Sequence, residues 1–279
     1  MPPSAISTSG RRRRTTFQLG WPVVFIALCV LPVAIFLALP WSIEGKSLAV
    51  LHGLCAQQPG HSFYYGDSRL PFDARMTGIY GGFGVSSLSF LVRGRWGQGG
   101  LPSIGVAAFL ALGVVALGID GLNSTLLDLG VWHVYSPANE LRLATGLLTG
   151  VALATFVWLL VGQVALRETA LSSGKLITGY RELATILALA TGYAAIVLSN
   201  WEPLRLPLTA LLILSATLVL TGLSLAFVLL VGQRENRAAR TADLAAPATV
   251  ALLSAFAILA LTSGSRFILE AMYGIPAVA

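Results

Sequence analysis

An all-α, polytopic integral membrane bundle of about seven transmembrane helices, N terminus in and C terminus out, is the fold this sequence predicts. Three observations carry it. The 279 residues are 56% hydrophobic and 11% charged, with a mean hydropathy of +0.79, whereas soluble domains are about one quarter charged. The apolar residues gather into runs near the ~20 residues that a hydrocarbon core requires. The basic residues divide unequally between the two sets of loops that those runs define.

Residues 1–20 read as a disordered basic tail. They are rich in Pro, Ser, Thr and Gly and carry Arg11, Arg12, Arg13 and Arg14, which favours anionic lipid head groups over a packed core. A twin-arginine export signal fits poorly, because six further spans follow the first. The rest, 21–279, reads as one transmembrane helical domain with an outer loop at 40–75. The first span is Trp21 to Leu39, ended at the interface by Pro40 and Trp41. Lys46 to Leu54 is too short to cross and is expected to lie at the surface. The later spans are Met76 to Val92, Leu101 to Ile119, Leu143 to Val161, Leu183 to Ser199, Leu206 to Val231 and Ala245 to Thr262.

Orientation follows from charge. With the N terminus inside, that side holds the four tail arginines and Arg93, Arg95, Arg167, Lys175, Arg181, Arg234, Arg237 and Arg240. The outside holds only Lys46, Arg69, Arg75, Arg142, Arg205 and Arg266, the asymmetry expected of a protein in the plasma (inner) membrane. The net charge of +6 is explained by those inner loops, so no nucleic-acid partner is expected. Cys29 and Cys55 make no disulfide framework.

Two glycine pairs, Gly78 with Gly82 and Gly146 with Gly150, each place both residues on one helix face. In lipid that spacing lets neighbouring backbones approach, so helix packing is their expected role. Leu159 to Gln163 and Leu229 to Gln233 repeat the same five residues at two helix ends, which reads as shared helix termination or as a duplicated hairpin. The polar, aromatic-rich stretch 55–84 is the main candidate for chemistry. Around it Cys55, His61, Asp73, Arg75, Asp120 and Arg142 form a candidate outer-face polar site. His52, Cys55, His61 and Asp73 match no tight metal motif, so neither a metal nor a cofactor is expected. The span interiors carry no Asp, Glu, Lys, Arg or His, which argues against proton relays and ion-coupled carriers.

Cys55, Gln57, Pro59, Ser62, Phe63, Gly66, Leu70, Pro71, Ala74, Arg75, Thr77, Gly78, Ile79, Tyr80 and Gly82, followed by Asp120-Gly-Leu122, Asn139, Leu141-Arg-Leu143 and Thr145-Gly146, fall in a recognisable order. In this the chain resembles the bacterial and archaeal membrane-protein family catalogued as domain of unknown function 2085. The family pattern has Cys-His-Gln and Cys-Ala-Arg-Cys where this sequence has Cys55-Ala56-Gln57 and Asp73-Ala74-Arg75-Met76. The resemblance therefore implies a divergent member that keeps the elements of shape and lacks most of the soft ligands. The expected function is a non-catalytic multi-pass membrane protein, a structural or accessory subunit whose partners are the lipid bilayer and other membrane subunits. The alternative is a transporter or membrane enzyme acting on a small molecule or lipid at the outward-facing polar site.

Overall fold

A computed structural model describes residues 20–274. The tail at 1–19, with its four arginines, and residues 275–279 lie outside the described part. The helices, in order, are α1 (Trp21–Ala38), α2 (Ile43–Leu51), α3 (Ala74–Val92), α4 (Ile104–Asp128), α5 (Asn139–Ala165), α6 (Tyr180–Leu198), α7 (Arg205–Val231) and α8 (Ala245–Tyr273). An antiparallel hairpin, β1 (Ser62–Tyr65) and β2 (Ser68–Asp73), stands before α3. A short parallel pair, β3 (Gln98–Gly100) and β4 (Ser172–Lys175), joins the loops at the other end.

Among the described residues six helices, α1 and α4 to α8, are long and apolar enough to cross a membrane. The remaining long helix, α3, spans 19 residues and is less apolar because of where it sits. It packs against α5, α6 and α7, and it buries Gly78, Gly81, Gly82, Gly84, Ser86, Ser87 and Ser89. A helix packed against three neighbours needs small residues at those contacts, where backbones approach closely.

Gly78 and Gly82 of α3 face Gly146 and Gly150 of α5. A Cβ placed on Gly78 would stand 2.4 Å from the Leu143 carbonyl oxygen, and one on Gly150 would stand 2.3 Å from that of Ile79. Contact is reciprocal, since a Cβ on Gly82 would come within 2.6 Å of the Leu147 oxygen and one on Gly146 within 2.4 Å of the Arg75 oxygen. The two helices run parallel, with both first turns at the same end. On its other faces α3 offers Gly81 to the ring of the buried Tyr193 and Gly84 to Ser215.

Each end of the bundle is tied. At the α3 C-terminal end Arg93 and Arg95 pair with Glu182 of α6, β3 joins β4, and Leu166 bridges to Ala238. At the opposite end the hairpin sits on the helices, and the Tyr65 hydroxyl donates to the Val197 carbonyl at 2.8 Å. The helix α2 is less superficial than the sequence suggests: Lys46, Ser47, Leu48 and Leu51 are buried, and a Cβ on Gly53 just after it would meet the α8 backbone at 2.4 Å. Three helices outrun their expected spans. α4 continues to Asp128, α5 begins at Asn139, and α8 runs to Tyr273, because buried hydrogen bonds carry their polar ends beyond the apolar windows. By contrast α1 packs on α8 with none of its own residues buried.

Gly150→Leu is expected to lower stability by about 3 kcal/mol or more, because the new side chain meets backbone that cannot yield. Gly118→Leu, whose Cβ meets nothing within 4 Å, is expected to shift it by no more than about 0.5 kcal/mol. Thermal unfolding in detergent compares the two.

Candidate functional site

The outer cap is built on the turn at 55–57. Gln57 holds a left-handed backbone, φ 56°, which a non-glycine residue keeps only where its surroundings fix it. Here the buried side chain supplies that fixing. Its amide nitrogen donates to the carbonyls of Leu48 at 3.0 Å and Pro71 at 2.9 Å, and its amide oxygen meets His52 Nδ1 at 3.0 Å. The backbone carbonyl of Gln57 accepts from the Arg69 guanidinium at 2.8 Å.

From this turn two chains of bonds leave. One runs to α8. The other nitrogen of the buried His52 ring lies 2.7 Å from Glu270 Oε2, and the ring stacks on Phe267 at 4.1 Å between centroids. Arg266 bonds Glu270 at 2.8 Å and donates to the carbonyls of His52, Cys55 and Ala56. No local pattern signals that the last helix clamps this loop, because the partners are more than 200 positions apart.

The second chain runs to α3. The Cys55 thiol donates to Asp73 Oδ2 at 3.1 Å, and its sulfur accepts the backbone N–H of Gln57 at 3.3 Å and that of Asp73 at 3.4 Å. The other oxygen of Asp73 accepts the Met76 N–H at 2.9 Å and so caps α3. Burial pushes the Cys55 thiol up to about 12, with the Asp73 carboxylate adding to it. A thiol so held is not a nucleophile near neutral pH.

In the first turn of α3, Arg75 reaches across to α4, where it donates to Asp120 Oδ2 at 2.8 Å and Ser124 at 3.1 Å. The second Asp120 oxygen accepts the Tyr135 hydroxyl at 2.9 Å. Asp120 is buried, and a buried carboxylate needs such partners. Asn123, also on α4, holds the 134–135 backbone through three further bonds.

Arg142 is different. It is 5% exposed, and the one hydrogen bond of its guanidinium among the described residues goes to the neutral Asn139 side chain at 2.9 Å. Its Nε is buried without a partner, as is that of Arg75. Half-buried His61 lies in the same field: burial depresses its basicity first, Arg142 next, with Asp128 and Asp73 opposing. The six candidate residues thus fall into three groups: Cys55 with Asp73, Arg75 with Asp120, and Arg142 with His61 nearby. Among the described residues no His, Cys, Asp or Glu cluster could hold a metal ion.

Sequence reasoning missed a second buried cluster at the opposite end. Glu182, in the first turn of α6, accepts from Arg93 at 3.1 Å, from Arg95 at 3.0 and 3.1 Å, and from Thr178 through both backbone and hydroxyl. Its signal was a lone acid opening an apolar run on the side richest in arginine.

In a Cys29→Ser background, Cys55 is expected to resist a water-soluble maleimide at pH 8 and to label fully after denaturation. The sign for stability follows from the raised thiol value. The contribution is complete below the ordinary thiol range and is lost as pH climbs from there toward 12. A thiol that labels at pH 8 without unfolding contradicts this geometry.

No curated protein and no solved structure matches the chain. A family model does match, over residues 55–156. That segment holds the 55–57 turn, the hairpin, α3, α4 and α5 as far as Phe156, so it contains both the cap and the glycine contact. The model is that of the family described as Predicted membrane protein (DUF2085), which this chain resembles over that segment.

Proposed function

We infer that this multi-pass membrane protein is a non-catalytic scaffold, a structural or accessory subunit of a larger assembly in the plasma membrane. The observation that carries it is the internal use of the cap's reactive groups. The thiol, both candidate carboxylates and the buried histidine are engaged by other parts of the chain. Catalysis needs such groups within reach of a substrate. Two grooves, of about 720 and 400 Å³, open elsewhere, along α6.

Seven crossings with the N terminus inside suit this reading. Arg93, Arg95, Arg167, Lys175, Arg181, Arg234, Arg237 and Arg240 belong to the loops and helix ends tied together at the α3 C-terminal end, as the positive-inside rule requires of a cytoplasmic face. The helix α1, apolar on all sides and buried on none, leaves a face for a partner's helix. Purification from native membranes in mild detergent is expected to bring down a second membrane protein in fixed ratio, lost when residues 1–42 are deleted. A monodisperse monomer with no companion argues against a subunit role.

A second reading is favoured by Arg142 alone. A buried guanidinium with one neutral partner is costly, and an anionic group on the outer face would satisfy it, as a transporter or membrane enzyme for a small anion or lipid requires. Phosphate at constant ionic strength should then raise the melting temperature of the native protein and leave Arg142→Gln unmoved. Equal responses in both remove this reading.

A further inference from the structure

The larger groove, of about 720 Å³, lies between α6 and α7 with α3 as its floor. Val85, Leu88 and Val92 of α3 line it, and the last two are 60% and 80% exposed. In a membrane such a surface meets hydrocarbon. Two features at its α3 C-terminal end are not apolar. Ser89 lines the groove and is 6% exposed, yet its buried hydroxyl has no hydrogen-bond partner. Arg93, one turn further on, lines the rim with its side chain 31% exposed.

Charge at this rim is unbalanced. Arg93 and Arg95 both pair with the single carboxylate of Glu182, which leaves one positive charge uncompensated in that cluster. An occupant is thereby specified in three parts: a long apolar chain, a hydrogen-bond acceptor about one helical turn from its polar end, and an anionic group beyond that. We propose that this groove binds one anionic glycerophospholipid, with an acyl chain along α3, an ester carbonyl accepting from Ser89 Oγ and the phosphate on Arg93. A partner's helix is a poorer match. Its backbone carbonyls are used within the helix, so it offers Ser89 nothing, and an apolar surface does not answer the charge. This site is separate from the outer cap and stands whether or not the chain is a subunit.

Gly192 makes a clean test. It lines the groove, and a Cβ there meets nothing within 4 Å, so Gly192→Leu builds a side chain into the groove from an open position. The full-length protein, reconstituted with equal phosphatidylglycerol and phosphatidylcholine, is examined by native mass spectrometry for retained lipid. One phosphatidylglycerol is expected to be retained over phosphatidylcholine by about tenfold, the scale of one charge-assisted contact. Arg93→Gln should bring that preference close to unity. Gly192→Leu should remove the retained lipid altogether, while Gly118→Leu, on α4 and outside the groove, should not. Should Arg93→Gln fail to fold, the Gly192→Leu comparison still decides. Equal retention of both lipids by the native protein, retention unchanged in Gly192→Leu, or release of a bound protein rather than a lipid by that substitution would each overturn the proposal.

Discussion

The backbone contact between α3 and α5 is the constraint on which the rest of the structure depends. Four glycines remove the side chains that would hold the helices apart, and the carbonyls of Arg75, Ile79, Leu143 and Leu147 occupy the space. Bilayer hydrocarbon provides no hydrophobic drive between helices, so close packing is what holds such a pair. Once the pair is formed, its parallel first turns bring Arg75 and Arg142 to the same end, under the hairpin. Arg75 can then reach Asp120 of α4, and Tyr193 of α6 can enter the notch at Gly81.

Above that pair the cap is held from two directions. Asp73 caps α3 and accepts the Cys55 thiol, while His52 and Arg266 join the same turn to α8. Gln57 lies at the junction, and its left-handed backbone persists because five hydrogen bonds surround it. The opposite end is fastened by one carboxylate, Glu182, between two guanidiniums. Buried charges at both ends are bound to groups of the chain itself. Arg142 and the excess charge at Arg93 stand apart from this pattern.

Much of this was legible in the sequence because the physics is local. Apolar run length located the helices, and a four-residue glycine spacing marks one face of a helix whatever surrounds it. The low hydropathy of α3 was also present, as glycine and serine, yet its cause, packing against α5, α6 and α7, depends on neighbours distant in the chain. The pairing of Cys55 with Asp73 across 18 positions was within reach of the sequence, since both belong to one polar stretch. Glu270 with His52 was not, nor Glu182 with Arg93. A single ionisable residue at a helix end carries no record of its partner, and a hairpin such as 62–73 shows only weak alternation when seven of its ten strand residues are buried.

A central helix made of small residues, locked to one neighbour and capped at both ends, suits a part that must hold a shape in lipid. Force spectroscopy on the protein in a bilayer, pulled from its C terminus, tests this account most directly. After α8, α7 and α6 have left, α5, α4 and α3 are expected to come out in one event. Extraction of α5 ahead of a separate, later step for α3 would contradict it.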